Sequence, residues 1–194
     1  MVSMKITYKI YKWDEKIYSI ITTYITKLKF LFWGGIFGSN FISYGSPHIK
    51  LHPGSSLIIG DNCRLRNGHK DNSRGLNHTC VFITGEKDAV IKIGNNVGLS
   101  GVSILCNKSV IIDDDCLIGA NVIMGDTDNH SKEYGLDDRP VHIKHGTWIG
   151  MNTVILKGVE IGENVIIGAC SVVTKSIPDN VIAAGNPCRI IKQR

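Results

Sequence analysis

From Ile93 onward an aliphatic residue returns at every sixth position: Ile93, Leu99, Leu105, Ile111, Leu117, Ile123. After a break the series resumes in a shifted phase: Ile143, Ile149, Ile155, Ile161, Ile167, Val173. Six is neither the helical 3.6 nor the heptad, but it contains the strand period of two. A short strand and a tight turn, repeated, wind a chain into a parallel β-helix. Three hexapeptides per coil make a triangular prism. Each aliphatic residue is then expected to point inward and stack on its counterpart one coil away, at the roughly 4.8 Å spacing of paired strands. Glycine follows the aliphatic at Gly94, Gly150, Gly162 and Gly168. There it relieves a corner that needs either positive φ or close approach. An isolated earlier repeat, "IIGDNC", holds Ile59, Gly60 and Cys63.

The break, "IMGDTDNHSKEYGLDDRPVHI", spans residues 123–143. The two flanking aliphatics stand 20 residues apart, two more than three repeats, so inserted residues displace the register. An extruded loop at about 125–141 is the expectation, with His130 among Asp126, Asp128 and Asn129. A smooth prism wall has few places for a reactive side chain. Histidine is the residue type whose proton affinity suits general-base work near neutral pH.

The rest of the chain divides around this domain. Residues 1–45 read as a helical appendage, 46–178 as the prism and 179–194 as a tail; after Val173 the repeat decays, and Pro178 and Pro187 end regular pairing. Residues 17–37, "IYSIITTYITKLKFLFWGGIF", are apolar but broken by Lys27 and Lys29. They fit an amphipathic helix packed on the domain, or one resting on a membrane surface. A net charge of +5, spread along the chain, lacks the concentrated basic face of a nucleic-acid binder. The six cysteines show no CxxC spacing and read as reduced thiols in a cytoplasmic protein.

The stretch from Trp148, "WIGMNTVILKGVEIGENVIIGACSVVTKSIPDNVIAAGNPCRII", resembles the closing segment of the hexapeptide-repeat acyltransferases. "WIG", "GACSVVTK", "IPDN" and "AAGNPCR" in that order carry the resemblance. "FGSNFISYGSPHIKLHPGSSLIIGDNCRL" and the loop placement look most like polysaccharide and O-antigen sugar O-acetyltransferases. The resemblance implies a left-handed β-helix, a homotrimer, acetyl-CoA as co-substrate, a sugar or polysaccharide acceptor and no metal. It implies His130 as general base, its imidazole held by Asp126 or Asp128. It also implies Trp148 and the Met151 backbone N–H near the thioester, and Ala169 along the pantetheine arm. Thr174, Lys175, Arg189 and Lys192 then fall at the nucleotide end.

Other readings remain beside this one. His142 and His145 flank the return of the repeat and are rival bases. The acceptor group is an amine in one alternative and an antibiotic hydroxyl in another. A zinc enzyme on this prism needs two histidines five residues apart, and the seven histidines contain no such pair. A purely structural prism is the last alternative. Cys170 reads as structural. The polar segment from Arg64 to His78 carries no assigned role.

Overall fold

A computed structural model of the chain describes residues 2–68, 72–73, 75–128, 130, 133 and 136–194, the side chains of residues 2, 3 and 5–7 excepted. Among the described residues one long helix, α1 (Val2–Trp33), precedes twenty short strands. The strands fall into three sheets, the faces of a prism. Sheet A holds β1 (Ile36–Phe37), β4 (Ser56–Ile59), β7 (Val90–Ile93), β10 (Ser109–Ile112), β13 (Val141–Ile143) and β16 (Glu160–Ile161). Sheet B runs from β2 (Ile42–Tyr44) through β5 (Arg64–Arg66), β8 (Gly98–Ser100), β11 (Leu117–Ala120), β14 (Trp148–Ile149) and β17 (Ile166–Ile167) to β19 (Val181–Ala184) and β20 (Arg189–Gln193). Sheet C holds β3 (His48–Lys50), β6 (Val81–Thr84), β9 (Ser103–Cys106), β12 (Ile123–Gly125), β15 (Val154–Ile155) and β18 (Val172–Val173). The chain visits A, B and C in turn, and successive coils pair in parallel as a left-handed β-helix.

Register partners measure the coils. Trp148 pairs with Ile166, and His142 with Glu160, each pair 18 positions apart. These are plain coils of three hexapeptides. Leu117 and Trp148 are 31 positions apart, and so are Ile123 and Val154. That coil therefore carries thirteen extra residues between β12 and β13, not the two that aliphatic spacing suggests. A second excursion lies between β5 and β6, where Arg64 and Gly98 are 34 positions apart.

The discrepancy has a physical source. After the loop, Ile143, Ile149, Ile155, Ile161, Ile167 and Val173 all point inward, none more than 1% exposed. Before the loop the inward series is Ile93, Leu99, Ile104, Ile112, Ile118 and Met124. Leu117 and Ile123, expected inside, are 56% and 49% exposed on the outer faces. Two corners, at 100–102 and 106–109, are one residue short and two residues long. The strands beside them carry apolar residues on both faces, so an aliphatic sits at the wrong phase without breaking the apparent period.

The corners also divide labour between residue types. Among the described non-glycine residues, left-handed φ falls on seven asparagines, two aspartates and Cys170, and not on the glycines that follow the aliphatics. Asparagine and aspartate tolerate that region best among residues with a Cβ. Those glycines serve close approach instead. A Cβ on Gly150 would stand 2.5 Å from the Ala169 nitrogen.

Both ends of the prism differ from the sequence expectation. α1 stops at Trp33, and residues 36–44 already form strands of the first coil, ahead of the boundary near 45. Phe30 plugs the open end, in edge contact with Phe37 and Phe41. At the other end Pro178 and Pro187 do not end pairing: β19 continues sheet B in parallel, and β20 folds back antiparallel on it.

Candidate active site

The loop between β12 and β13 leaves the prism at the corner between sheets C and A, and the chain anchors it there with charge. Asp126 is fully buried. Its Oδ1 accepts from the Asn107 N–H at 2.7 Å, and its Oδ2 from the Lys108 and Ser109 N–H groups at 2.6 Å each. The Cys106 thiol lies 3.5 Å from the same carboxylate. Burial and the Asp126 charge push that thiol's pKa up. Asp126 thus caps the eccentric corner at 106–109 and is placed as an anchor, with its oxygens turned to the backbone and away from the loop. Asp128 forms a 2.5 Å ion pair with Lys157 of the same corner one coil on. The return limb is held by Arg139, which bonds the Asp126 carbonyl and the Gly158 N–H through its backbone.

His130 sits two residues beyond Asp128, so its Cα lies within about 7 Å of that anchored residue. Its side chain is 67% exposed, and its Nδ1 is 3.1 Å from Glu133 Oε2. A turn in which the Glu133 N–H donates to the His130 carbonyl places the two side chains together. The carboxylate on this imidazole is therefore Glu133, a residue the sequence reading passed over. Its only signal was a carboxylate three residues after the histidine. The rival histidines lie on the wall: His142 Nε2 is 2.9 Å from Asp113 Oδ2, and His145 Nδ1 is 3.6 Å from Asp115 Oδ2.

A second constellation forms on sheet B near its corner with sheet C. Trp148, Met151 and Ala169 line a cavity of about 460 Å³, with Gly119, Gly168 and Asn72. The coils touch through backbone here: a Cβ on Gly119 would stand 2.7 Å from the Met151 nitrogen. Glycine and alanine leave a floor of bare peptide beside the half-exposed Trp148 ring. Such a floor suits an extended, amide-bearing arm. Arg189 and Lys192 lie on β20, three strands below β14 in the same sheet, about 14 Å at the usual spacing. Cys170, exposed beside Ala169, is the one cysteine of the six that is not buried.

The anticipated residues thus separate into two groups. Trp148, Met151 and Ala169, with Arg189 and Lys192, occupy sheet B. His130 and both aspartates occupy the C–A corner, and Thr174 and Lys175 are exposed at that same corner, just after β18. In a triangular prism the C–A corner is opposite face B. Among the described residues no group of three or more His, Cys, Asp or Glu side chains is arranged to hold a metal ion.

Comparison with known proteins agrees with this architecture. The bacterial transferase hexapeptide model, of six repeats, matches residues 140–175, and the hexapeptide repeat of succinyl-transferase matches 109–125. A galactoside O-acetyltransferase of Escherichia coli (strain K12) is 41% identical over 110 residues, covering 53% of this chain and 54% of the relative. A galactoside acetyltransferase solved in complex with coenzyme A is 28% identical, with a TM-score of 0.50, over 81% of this chain and 64% of that one. AntD, an N-acyltransferase from Bacillus cereus solved with dTDP and 3-hydroxybutyryl-CoA, shares the fold at 22% identity, with a TM-score of 0.65 over 87% of both chains. Over its repeat region the chain is therefore similar to hexapeptide-repeat transferases and to galactoside O-acetyltransferases. It spans about half the length of the curated relatives it matches.

Proposed function

We propose that the protein transfers acetyl from acetyl-CoA to a hydroxyl of a sugar, in a polysaccharide or its precursor, by direct attack in a ternary complex. In this reading the pantetheine arm lies along the Gly119–Gly150–Gly168 floor beside Ala169. The thioester sits at Trp148, and the nucleotide end reaches Arg189 and Lys192 on the same face, with Thr174 and Lys175 brought to it from the C–A corner of the neighbouring protomer. His130 Nε2 takes the hydroxyl proton as the oxygen attacks the thioester carbon. The Met151 N–H stabilises the oxyanion. CoA thiolate leaves and takes up the proton from the imidazolium. Glu133 on Nδ1 orients the ring, so Nε2 faces the acceptor.

One observation carries the reading: His130 is tethered at the C–A corner, opposite the Trp148 cavity. A base and a cavity on opposite sides of one prism form a working site only between protomers. A homotrimer with cyclic symmetry supplies three such interfaces. The base of each protomer then faces the cavity of the next.

Mixing inactive protomers tests this. His130→Ala removes the base, and Ala169→Phe blocks the arm's path at an exposed position. Neither variant alone is expected to transfer acetyl. Refolded together in equal amounts, three-quarters of trimers are mixed and each mixed ring regains one interface of three, so about a quarter of wild-type activity returns. Zero recovery with verified mixed trimers would place the whole site within one protomer and sink the reading. Mild alkali applied to the product separates an ester from the amide that amine acetylation would give.

The N-terminal helix extends the proposal to a membrane surface. α1 packs on the prism through a polar face: Thr22 Oγ1 donates to the Ser43 carbonyl at 2.5 Å, and Thr23 accepts from the Ser43 N–H at 2.9 Å. Its outward face is Ile10, Trp13, Ile17, Ile21, Tyr24, Leu28 and Leu31, all exposed. Such a face, with Lys9, Lys16 and Lys27 along its edge, suits the interface of an anionic bilayer. No described helix is long and apolar enough to cross one. The enzyme then works at the inner, cytoplasmic surface, where acetyl-CoA is found.

A further inference from the structure

The loop that carries His130 has a neck, and one side chain crosses it. Asn107 stands on the long corner at 106–109, between β9 and β10 and one coil before the loop. Its peptide N–H caps Asp126. Its side-chain Nδ2 donates to Thr127 Oγ1 at 3.1 Å and to Asp138 Oδ2 at 3.1 Å. Thr127 is on the outgoing limb and Asp138 on the returning one, so a single amide joins limbs eleven positions apart. A carboxylate only accepts, so the NH₂ end of the amide is the one that faces Asp138. The Oδ1 end turns to Gly85 of the preceding coil, where a Cβ would stand 2.4 Å from it.

Other corner amides work differently. Asn62 Nδ2 donates to Asn96 Oδ1 at 3.1 Å, and Asn96 Nδ2 to Asp115 Oδ1 at 2.9 Å, each bonding its counterpart one coil on. Such ladders hold coil to coil. Asn107 gives its amide hydrogens to the excursion instead, from a half-buried position. Two backbone bonds tie the returning limb to the prism: the Arg139 N–H donates to the Asp126 carbonyl at 2.8 Å, and the Gly158 N–H to the Arg139 carbonyl at 2.9 Å. The Asn107 amide ties the limbs to each other. His130 stands three residues beyond Thr127, within about 10 Å of it along the chain, so where the neck closes limits where the imidazole can stand.

We propose that Asn107 is a positioning residue for the transfer reaction: by closing the neck of the loop it sets where His130 stands against the neighbouring protomer's cavity. The inference rests on the acetyl-transfer reading and adds to it a residue that acts through the loop rather than on the substrate. Pinning position 127 to position 138 shortens the span that is free to sample conformations, so less freedom is lost when the base meets the acceptor. A base displaced by an ångström loses much of its effect, because proton transfer needs hydrogen-bond reach. Asp126 is capped by the backbone of Asn107, so a side-chain change at Asn107 leaves that cap in place. The neck can therefore be opened without pulling out the root.

The purified oligomer carrying Asn107→Asp, Asp138→Asn or both tests this in two arms. Asn107→Asp sets two carboxylates face to face across the neck. Asp138→Asn alone keeps an acceptor oxygen for Asn107 and is mild. The pair exchanges donor and acceptor, and the Thr127 hydroxyl, which can donate as well as accept, follows. In the first arm, hydrogen exchange read by mass spectrometry, Asn107→Asp is expected to speed exchange over residues 127–139 at least tenfold, and the pair to restore it. In the second, thiol release from acetyl-CoA with a panel of methyl glycosides, Asn107→Asp lowers kcat tenfold or more. KM for acetyl-CoA and oligomer size hold, and the pair recovers kcat to within about threefold of wild type. In a His130→Ala background Asn107→Asp costs nothing further, which a loss of general stability would not show. Wild-type exchange in Asn107→Asp overturns the neck bond. Faster exchange with unchanged kcat, or a rise in KM for the glycoside alone, overturns the positioning role. If the exchange arm behaves as expected while the wild type acetylates no glycoside of the panel, the neck bond stands and the acetyl-transfer reading fails.

Discussion

Replacing Asp126 separates an anchor from a catalytic carboxylate. The side chain is fully buried and holds three backbone N–H groups at 2.6–2.7 Å. Asp126→Ala leaves all three donors facing a cavity. Each bond to a charged acceptor is worth about 1.5–3 kcal/mol, and the three are coupled, so the loss is about 3–5 kcal/mol. For a chain of this size that lowers the thermal midpoint by about 6–20 °C. Asp126→Asn is the sharper change. It keeps shape and one oxygen, but one of its two atoms must become an NH₂ group facing N–H donors, so a loss of similar size is expected. Thermal and urea unfolding at one fixed protomer concentration measure both, because an oligomer's midpoint moves with concentration. Acetyl transfer falls with stability as the loop loses its root, and CoA binding at sheet B persists. An Asp126→Asn protein that melts within a degree or so of wild type, yet loses transfer, would refute the argument and return Asp126 to the chemistry.

His130→Ala is expected to lower kcat by about 10²–10⁴-fold with CoA affinity unchanged, measured by thiol release and calorimetry. Glu133→Gln, which keeps a hydrogen bond to Nδ1, is expected to cost less than tenfold, and Glu133→Ala more. Five thiols are buried, and burial pushes Cys80 up to about 12 and Cys116 up to about 11, so both stay protonated at neutral pH. Mass spectrometry after maleimide treatment of native protein should find one label per chain, at Cys170, and saturating acetyl-CoA should slow it. On the outer face of α1, Ile17→Glu with Leu28→Glu removes two side chains worth about 1.5–3 kcal/mol each when buried, so sedimentation with anionic vesicles should fall at least tenfold.

The fold was legible because its rule is local. One residue in six must be apolar, and from Ile143 to Val173 the chain obeys without exception. Before the loop the same rule misled, because Leu117 and Ile123 are apolar on an outer face. The true phase is set by two irregular corners, one of them capped by Asp126 from a coil away. That cap is a contact between residues nearly twenty positions apart, and periodicity holds no trace of it. Asp126 and Asp128 drew attention as aspartates near a histidine, yet backbone donors and Lys157 claim them. Glu133 reaches the imidazole only because a turn folds it back.

In the proposed reading, a site divided between neighbouring protomers also accounts for features that look unrelated along the chain. A loop rooted by Asp126, Asp128 and Arg139 on one corner holds its histidine outward, away from its own cavity, and such a rigid root is useless to a base that must fold back. It suits a base that must stand at a fixed height beside a neighbouring prism. The glycines at 119, 150 and 168 follow from the same arrangement. A cavity closed by another protomer has to be shallow, and a floor of bare backbone with Trp148 at its side is the shallowest surface a stacked coil offers. The coil repeat sets how far the root of that loop, at Asp126, stands along the prism from the Trp148 floor.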